Sequence, residues 1–510
     1  MAHTSTGGIP FEFKQRESSN KPQKNAPFHL LIVGNFSGAT YEQRADMPAI
    51  KQRPWYRIDC DDIDDVLRQL SPTVTLQAGG DTPYQFTPKE LDDFHPDELY
   101  REFPPFSRLK QLRNQLNNNA TFAEAAEKLE QWLGIKPLPT PNKPANPEPT
   151  PAPAEGGLLD SILDSTADSS KPPLTNDQST NAWLRQLVDD AVAPYTLPAK
   201  DPRKEDYLNL LDRSISDLMR SLIHNNAYRS LENHWRGLDF ILRRSESEAG
   251  LNIYIWDITK EELLTDLAQN GNASDSDFYH RIQHQFAASD EQLSAIVSTY
   301  EFGAKKQDAL MLGILAKLCT HMDCPFIANG NASLAHCENF FLSEDFRDWT
   351  QSWDADFAQT WQAIRNMPES HYIALTAPRF LIRYPYDTGH YSIESFKFNE
   401  LVEPMDSNDL AWAPGAFAVG AILAQSYNKK GWQFDLGDFT DLHRLPIAFF
   451  NHDGSKEVIP SGECFLTEAM FNQICNAGLT PITGIKNNDT LKVGPIIGLH
   501  ERSPLLGPWV

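Results

Sequence analysis

The sequence is poor in the features that announce a chemistry. Its 510 residues contain six cysteines: Cys60, Cys319, Cys324, Cys337, Cys464 and Cys475. They lack the dense spacing of a disulfide framework, which fits a reducing cytoplasm. Cys319, His321 and Cys324 lie close together, but no second ligand pair follows at zinc-site separation. No run reaches the roughly 18 apolar residues of a membrane-spanning helix. Met1 to Gln15 has no apolar core of the kind a secretory signal needs. Positive charge is also scarce, with 45 Lys and Arg against 69 Asp and Glu and a net charge of −24. That balance argues against a phosphate-binding nucleic-acid face and against an anionic membrane surface. Gly34 and Gly38 follow an apolar run, yet they form neither GxGxxG nor GxxxxGKS, so a tight turn is expected rather than a phosphate cradle. His224, His234, His321, His336 and His390 are scattered, with no GxSxG, HExxH or triad order. The expectation is a cytoplasmic protein with no enzymatic activity, cofactor, metal or nucleic-acid partner and no membrane insertion.

What is present is hydrophobic periodicity. Leu218, Leu222, Tyr228, Leu231, Trp235, Leu238 and Leu242 return to one helical face. Helix is predicted over 207–242, and the β-rich stretch Leu251 to Ile258 after it is predicted to be a strand. Within this unit Trp235 reads as a buried aromatic and Gly237 as a close-packing position. Phe28 to Val33 (FHLLIV) is a continuous apolar run, as in a strand buried on both faces. Val74, Leu76, Tyr84 and Phe86 suggest a hairpin, and Phe106–Leu116 and Phe122–Leu133 suggest two amphipathic helices. Gly415, Ala416, Ala418, Gly420 and Ala421 make a small-residue helix face suited to close packing.

Residues 136–156 hold eight prolines and almost no large apolar side chain, so this stretch reads as a semi-rigid polyproline spacer. It divides the chain into an α/β segment at 1–134, a linker at 135–180 and a second α/β segment at 181–510. Amphipathic helices are expected to pack between the two segments. Inside the linker Leu158, Leu159, Ile162 and Leu163 form an apolar island (157–164) of the kind that serves as a docking peptide or folds back on its own domain. Upstream, Ile9, Phe11 and Phe13 alternate in a short strand-like stretch on a polar arm.

The words of the second segment fall in a specific order. Leu231-Glu232, Trp235-Arg236-Gly237-Leu238 and Asp257 to Leu267 are followed by Ala295–Gly303, Tyr372–Tyr386, Phe396–Glu400, Trp412–Ser426 and Cys464–Leu479. This order resembles the large subunit of the type VI secretion contractile sheath. Phe28–Gly38, Arg53–Leu67 and Phe86–Leu116 resemble the small subunit of the same sheath. The chain thus resembles a single-chain fusion of the two.

The resemblance implies a structural protein that works with type VI sheath subunits or baseplate proteins. Leu231, Glu232, Trp235, Arg236 and Gly237 would be scaffold, and Ile9, Phe11 and Phe13 would lie on an arm passed between protomers. Arg379 and Arg383, four residues apart, read on their own chemistry as a pair that could bind an anion, with an inter-subunit or inter-domain ion pair the favoured expectation. Leu158, Leu159, Ile162 and Leu163 would be the handle for a AAA+ unfoldase. In the family the chain runs on beyond the stretch matching Gly478–Ile482 into strands that accept a neighbour's arm, whereas this sequence reaches Val510 soon after. A sheath-like protein with one complementary edge docks at a sheath end or baseplate and caps or modulates assembly. The alternative is a genuine polymerising subunit in single-chain form.

Overall fold

The computed structural model describes Pro22 and residues 26–77, 83–137, 201–245, 250–269, 273–287, 291–343, 345–389, 391–403, 405–452, 455–501 and 503–509. Ile9, Phe11 and Phe13 of the arm and Leu158, Leu159, Ile162 and Leu163 of the docking helix lie outside the described residues. The described chain forms two compact units, 1–102 with 216–510, and 103–215.

The first unit is built on one nine-stranded mixed sheet. Its strands are β1 (Phe28–Gly34), β2 (Tyr56–Ile58), β5 (Leu251–Asp257), β6 (Ala295–Phe302), β7 (Phe326–Gly330), β8 (Ile373–Ala377), β11 (Asp441–Leu442), β14 (Leu479–Gly484) and β15 (Leu491–Val493). The order is β11-β15-β14-β8-β7-β6-β1-β5-β2. The run β14-β8-β7-β6-β1-β5 is parallel, and β2, β15 and β11 are antiparallel to their neighbours. Two-stranded pairs stand beside it: β3 (Val74–Leu76) with β4 (Tyr84–Phe86), β9 (Phe380–Leu381) with β10 (Trp412–Ala413), and β12 (Ala448–His452) with β13 (Ser455–Ile459).

The mixed α/β class is as the sequence predicts, and the nine-stranded sheet draws strands from both segments. β1 belongs to the first segment and lies between β5 and β6 of the second. Leu30 faces Ile253 on one side and Ala295 on the other. All seven β1 residues are buried. The continuous apolar run has its physical reason here, because a central parallel strand has no solvent face.

The helices in chain order are α1 (Tyr41–Arg44), α2 (Ile63–Leu70), α3 (Pro96–Glu102), α4 (Pro104–Asn117), α5 (Phe122–Leu133), α6 (Lys204–Ile223), α7 (Asn226–Arg244), α8 (Lys260–Gln269), α9 (Asp277–Gln285), α10 (Lys306–Met322), α11 (Ala355–Arg365), α12 (Gly415–Lys430) and α13 (Glu468–Asn476). The helix expected to run unbroken over 207–242 is in fact two, α6 and α7. Asn225 breaks it as an N-cap whose side chain accepts from the amides of Ala227 and Tyr228. The apolar stripe continues through the break, so periodicity alone hides it.

α7 and α12 approach closely. A Cβ on Gly237 would lie 2.4 Å from the Phe417 ring, and one on Gly420 would lie 3.1 Å from Val297 and 3.2 Å from Ile241. Gly237→Val is therefore expected to push these helices apart at a cost of about 1–3 kcal/mol, read as a lowered urea midpoint. An unchanged midpoint would mean that this packing yields freely.

The second unit holds the helices expected to join the segments. Arg113 of α4 pairs with Asp212 of α6 at 2.7 Å. Phe122 of α5 meets Tyr207 edge-on at 5.6 Å, and the Tyr207 hydroxyl bonds Glu130. Lys204 reaches the Asn117 carbonyl. First-segment helices therefore pack on the start of the second segment's first described helix.

Candidate functional site

Several of the candidate residues lie along the seam where the first segment enters the second. After β1 the chain turns through Asn35, Phe36, Ser37 and Gly38. Gly34 is required by proximity, since a Cβ there would meet the Thr299 side chain at 2.4 Å. Gly38 has φ +68°, a conformation that favours glycine. The glycines shape the turn whose amides meet Asp257.

Trp235 closes over this turn. It is fully buried, donates its indole N–H to the Phe36 carbonyl at 3.0 Å and meets the Phe36 ring edge-on at 5.6 Å. His234 Nδ1 lies 3.2 Å from the Asn35 carbonyl. Asp257, at the end of β5, accepts the amides of Phe36 and Ser37 at 2.8 and 3.0 Å. Arg44 of the first segment, buried, bridges Asp257 at 2.9 Å and Glu262 at 2.8 Å. Arg53 adds a forked pair to Glu262 at 2.5 and 3.0 Å. Burial alone would raise the Glu262 carboxyl, and bonds from Arg53 and Thr259 with the Arg44 charge outweigh it and hold it down. This is the bidentate geometry in which guanidinium and carboxylate bind most strongly.

A second network lies behind α7. Glu232 and Glu400 are fully buried. Arg383 joins them, 2.8 Å from Glu232 and 2.7 Å from Glu400. Arg236 pairs with Glu232 at 2.8 Å, and Arg229 lies 3.5 Å from Glu400. Burial would raise the Glu232 carboxyl, but the Arg383 and Arg236 charges overcome it and hold it at about 2. The first segment docks beside this network. Tyr228 donates to the Phe94 carbonyl at 2.9 Å, and His95 meets Tyr386 edge-on at 5.0 Å. Asp97 accepts the amides of Glu394 and Ser395.

Arg379 and Arg383, expected at an interface between protomers or domains, both form their ion pairs within the chain. Arg379 binds Glu463 at 2.5 Å and Arg383 binds Glu232 and Glu400. The scaffold motif Leu231–Gly237 serves both networks. Arg53, Glu262 and Glu400 lie inside stretches that carry the resemblance, but their pairing is not legible there, and Arg44 escapes the sequence because its partners Asp257 and Glu262 lie far off along the chain.

The seam has a defined acid response. Burial, reinforced by the Arg229 charge, pushes His224 down to about 4, and burial pushes His234 down to about 4. Both folded-state values lie below the unfolded value of 6.5. Their neutral forms therefore contribute stability that is complete above pH 6.5 and lost as pH falls through about 4. Glu232 acts with the same sign lower down, between 4.5 and about 2. A fall from pH 7 to 4.5 is expected to cost on the order of 2 kcal/mol for each histidine. Urea midpoints at the two pH values test this. A flat profile would mean that the two imidazoles titrate alike in the folded and the unfolded chain.

Among the described residues no group of His, Cys, Asp and Glu could hold a metal. No described helix is long and apolar enough to cross a membrane. A cleft of about 680 Å³ opens beyond the ends of β6 and β7, lined in part by Lys260, Glu301, Asp308 and Trp353, and its Lys260 is paired with Asp308 at 2.7 Å. The seam can orient and hold protein elements.

The comparisons with known proteins divide at the same place. The family model of the VipB tail sheath N-terminal domain matches residues 205–493, more than half of the chain. The model of the type VI secretion system VipA matches residues 8–135. The chain is 26% identical over 324 residues to the type VI secretion system sheath protein TssC1 of Pseudomonas aeruginosa, covering 61% of this chain and 65% of that protein. It is 26% identical over 113 residues to the sheath protein TssB1 of the same organism, covering 21% of this chain and 64% of that protein. It thus spans just under two thirds of the length of each.

Proposed function

The chain belongs to the VipB tail sheath family, with a VipA-like segment fused ahead of it, and from that premise we propose that it is a non-enzymatic structural component of a type VI secretion machine. One polypeptide supplies one pseudo-protomer. The observation that carries this is β1, a strand of the VipA-like segment seated in the middle of the VipB-like sheet. A linker between the segments makes that insertion intramolecular, with an effective concentration near mM and fixed one-to-one stoichiometry.

Within this role the protein docks on a sheath end or baseplate and caps or modulates assembly. The nine-stranded sheet supports this, because its outermost strands, β2 and β11, have only three and two residues. Edges so short resist further strand pairing. The second reading, a polymerising single-chain subunit, is favoured by the β12–β13 hairpin, whose strands pair only with each other among the described strands and so offer open edges for β-augmentation. Negative-stain microscopy at micromolar concentration separates the two. Monomers or small oligomers that attach to the ends of preformed sheath fit the capping reading. Long tubes of the isolated protein refute it.

Two segments outside the described residues enter as partner sites. Ile9, Phe11 and Phe13 are the arm offered to a neighbouring protomer. Leu158, Leu159, Ile162 and Leu163 are the handle for a AAA+ unfoldase. Leu159→Asp with Ile162→Asp is expected to abolish unfoldase capture in a pull-down at unchanged thermal stability, since a charge on an apolar docking face is poorly desolvated. Unchanged capture removes the handle, and lowered stability assigns the helix to the protein's own core.

A further inference from the structure

The stretch upstream of β1 is caught at one point by second-segment side chains that no known function claims. Ala26 precedes Pro27, so its backbone is held extended, and Pro27 has a fixed φ and no amide to donate. The Ala26 carbonyl accepts two hydrogen bonds, from the Trp432 indole at 2.7 Å and the Tyr427 hydroxyl at 2.8 Å. Both of its lone-pair directions are therefore used. The next side chain, Phe28, is fully buried against the same rings, 5.1 Å from Tyr427 and 5.3 Å from Trp432, with Phe434 edge-on at 6.3 Å. Its amide donates to Gly250 at 2.7 Å. Gly250 has φ +118°, and a Cβ there would come 2.9 Å from the Tyr427 hydroxyl. The site admits the Tyr427 hydroxyl only because that position has no side chain.

We infer that Tyr427 and Trp432 are an anchor that fixes where, and in which direction, the chain enters β1 at Ala26, at the foot of the stretch upstream. Chain entering a parallel strand at its amino end has no ladder of its own, so its direction is set by side chains or by nothing. Two donors on one carbonyl and three rings packed against Phe28 set it here. The inference deepens the proposed role, in which that stretch carries the partner arm, by naming the residues that hold the arm's root.

The test measures direction, not stability. Spin labels on Pro22→Cys and Gln433→Cys, with Cys60→Ser and Cys475→Ser to remove the half-buried thiols, give a distance distribution by electron–electron resonance. The anchor predicts a single narrow peak in the full chain and a clearly broader one after Tyr427→Phe with Trp432→Phe. Amide exchange at Phe28 should accelerate roughly tenfold in that variant, the scale of losing hydrogen bonds, while β7 amides keep their protection. Equal widths in both proteins, or a broad peak in the parent, overturn the anchor. The arm itself is tested separately, by removing residues 1–21 and measuring sheath binding. Unchanged binding with an intact narrow peak would refute the arm and leave the anchor standing.

Discussion

Arg383→Ala is expected to destabilise the protein by about 3–5 kcal/mol, the usual cost of breaking a buried ion pair from one side. Arg383 is 9% exposed and bonds two carboxylates that are 0% exposed, Glu232 and Glu400. Removing it leaves two desolvated negative charges in one volume, with Arg236 and Arg229 as the remaining cations. The loss should exceed that from Arg379→Ala, because Arg379 is 34% exposed and serves one carboxylate. Coupling separates an ion network from simple loss of packing. Arg383→Ala combined with Glu400→Gln should cost less than the sum of the two single changes, since the second removes a charge the first has orphaned. Strict additivity in urea unfolding would show that the network carries no shared electrostatic energy.

Trp235→Ala is the second large effect, about 3–5 kcal/mol by the usual cost of truncating a buried aromatic. Its distinctive consequence lies between the segments. The indole holds the Phe36 carbonyl and packs on the Phe36 ring, so truncation removes a contact of the second segment with the turn that ends β1. With the chain cut between residues 138 and 200, the Trp235→Ala protein should lose its first segment on dilution more readily than the parent. A shift below about 1 kcal/mol, with segment retention unchanged, would make Trp235 a peripheral residue.

Much of this architecture is legible in the sequence, and the limits have physical causes. Phe28–Val33 announces a buried strand because a strand covered on both faces needs apolar residues at every position. The hairpin of Val74 with Phe86 and the helices at 104–117 and 122–133 are local patterns, and local patterns survive in one dimension. The break at Asn225 is hidden because the apolar stripe crosses it, and only the capping preference of Asn marks the position. The shared sheet is invisible for another reason. The neighbours of β1 lie more than 200 residues downstream, and an all-apolar strand does not specify which strands flank it. The same distance hides the carboxylate partners of Arg44, 213 and 218 residues downstream. Arg383 could be singled out as a charge needing a partner, but whether that partner lay in the chain or in a neighbour depended on where Glu400 and Glu232 fold.

The VipA-like and VipB-like segments are expected to stay together because β1 of the first completes the sheet of the second. The most direct measurement is to place a protease site between residues 138 and 200, cut the purified chain to completion and pass it over a sizing column at low micromolar concentration. A strand buried between β5 and β6, the Asp257–Arg44–Glu262 network and the α4–α5–α6 helices all predict that both pieces elute together at the position of the intact chain. Elution of two separate, folded pieces would contradict the shared sheet, and with it the single-chain protomer.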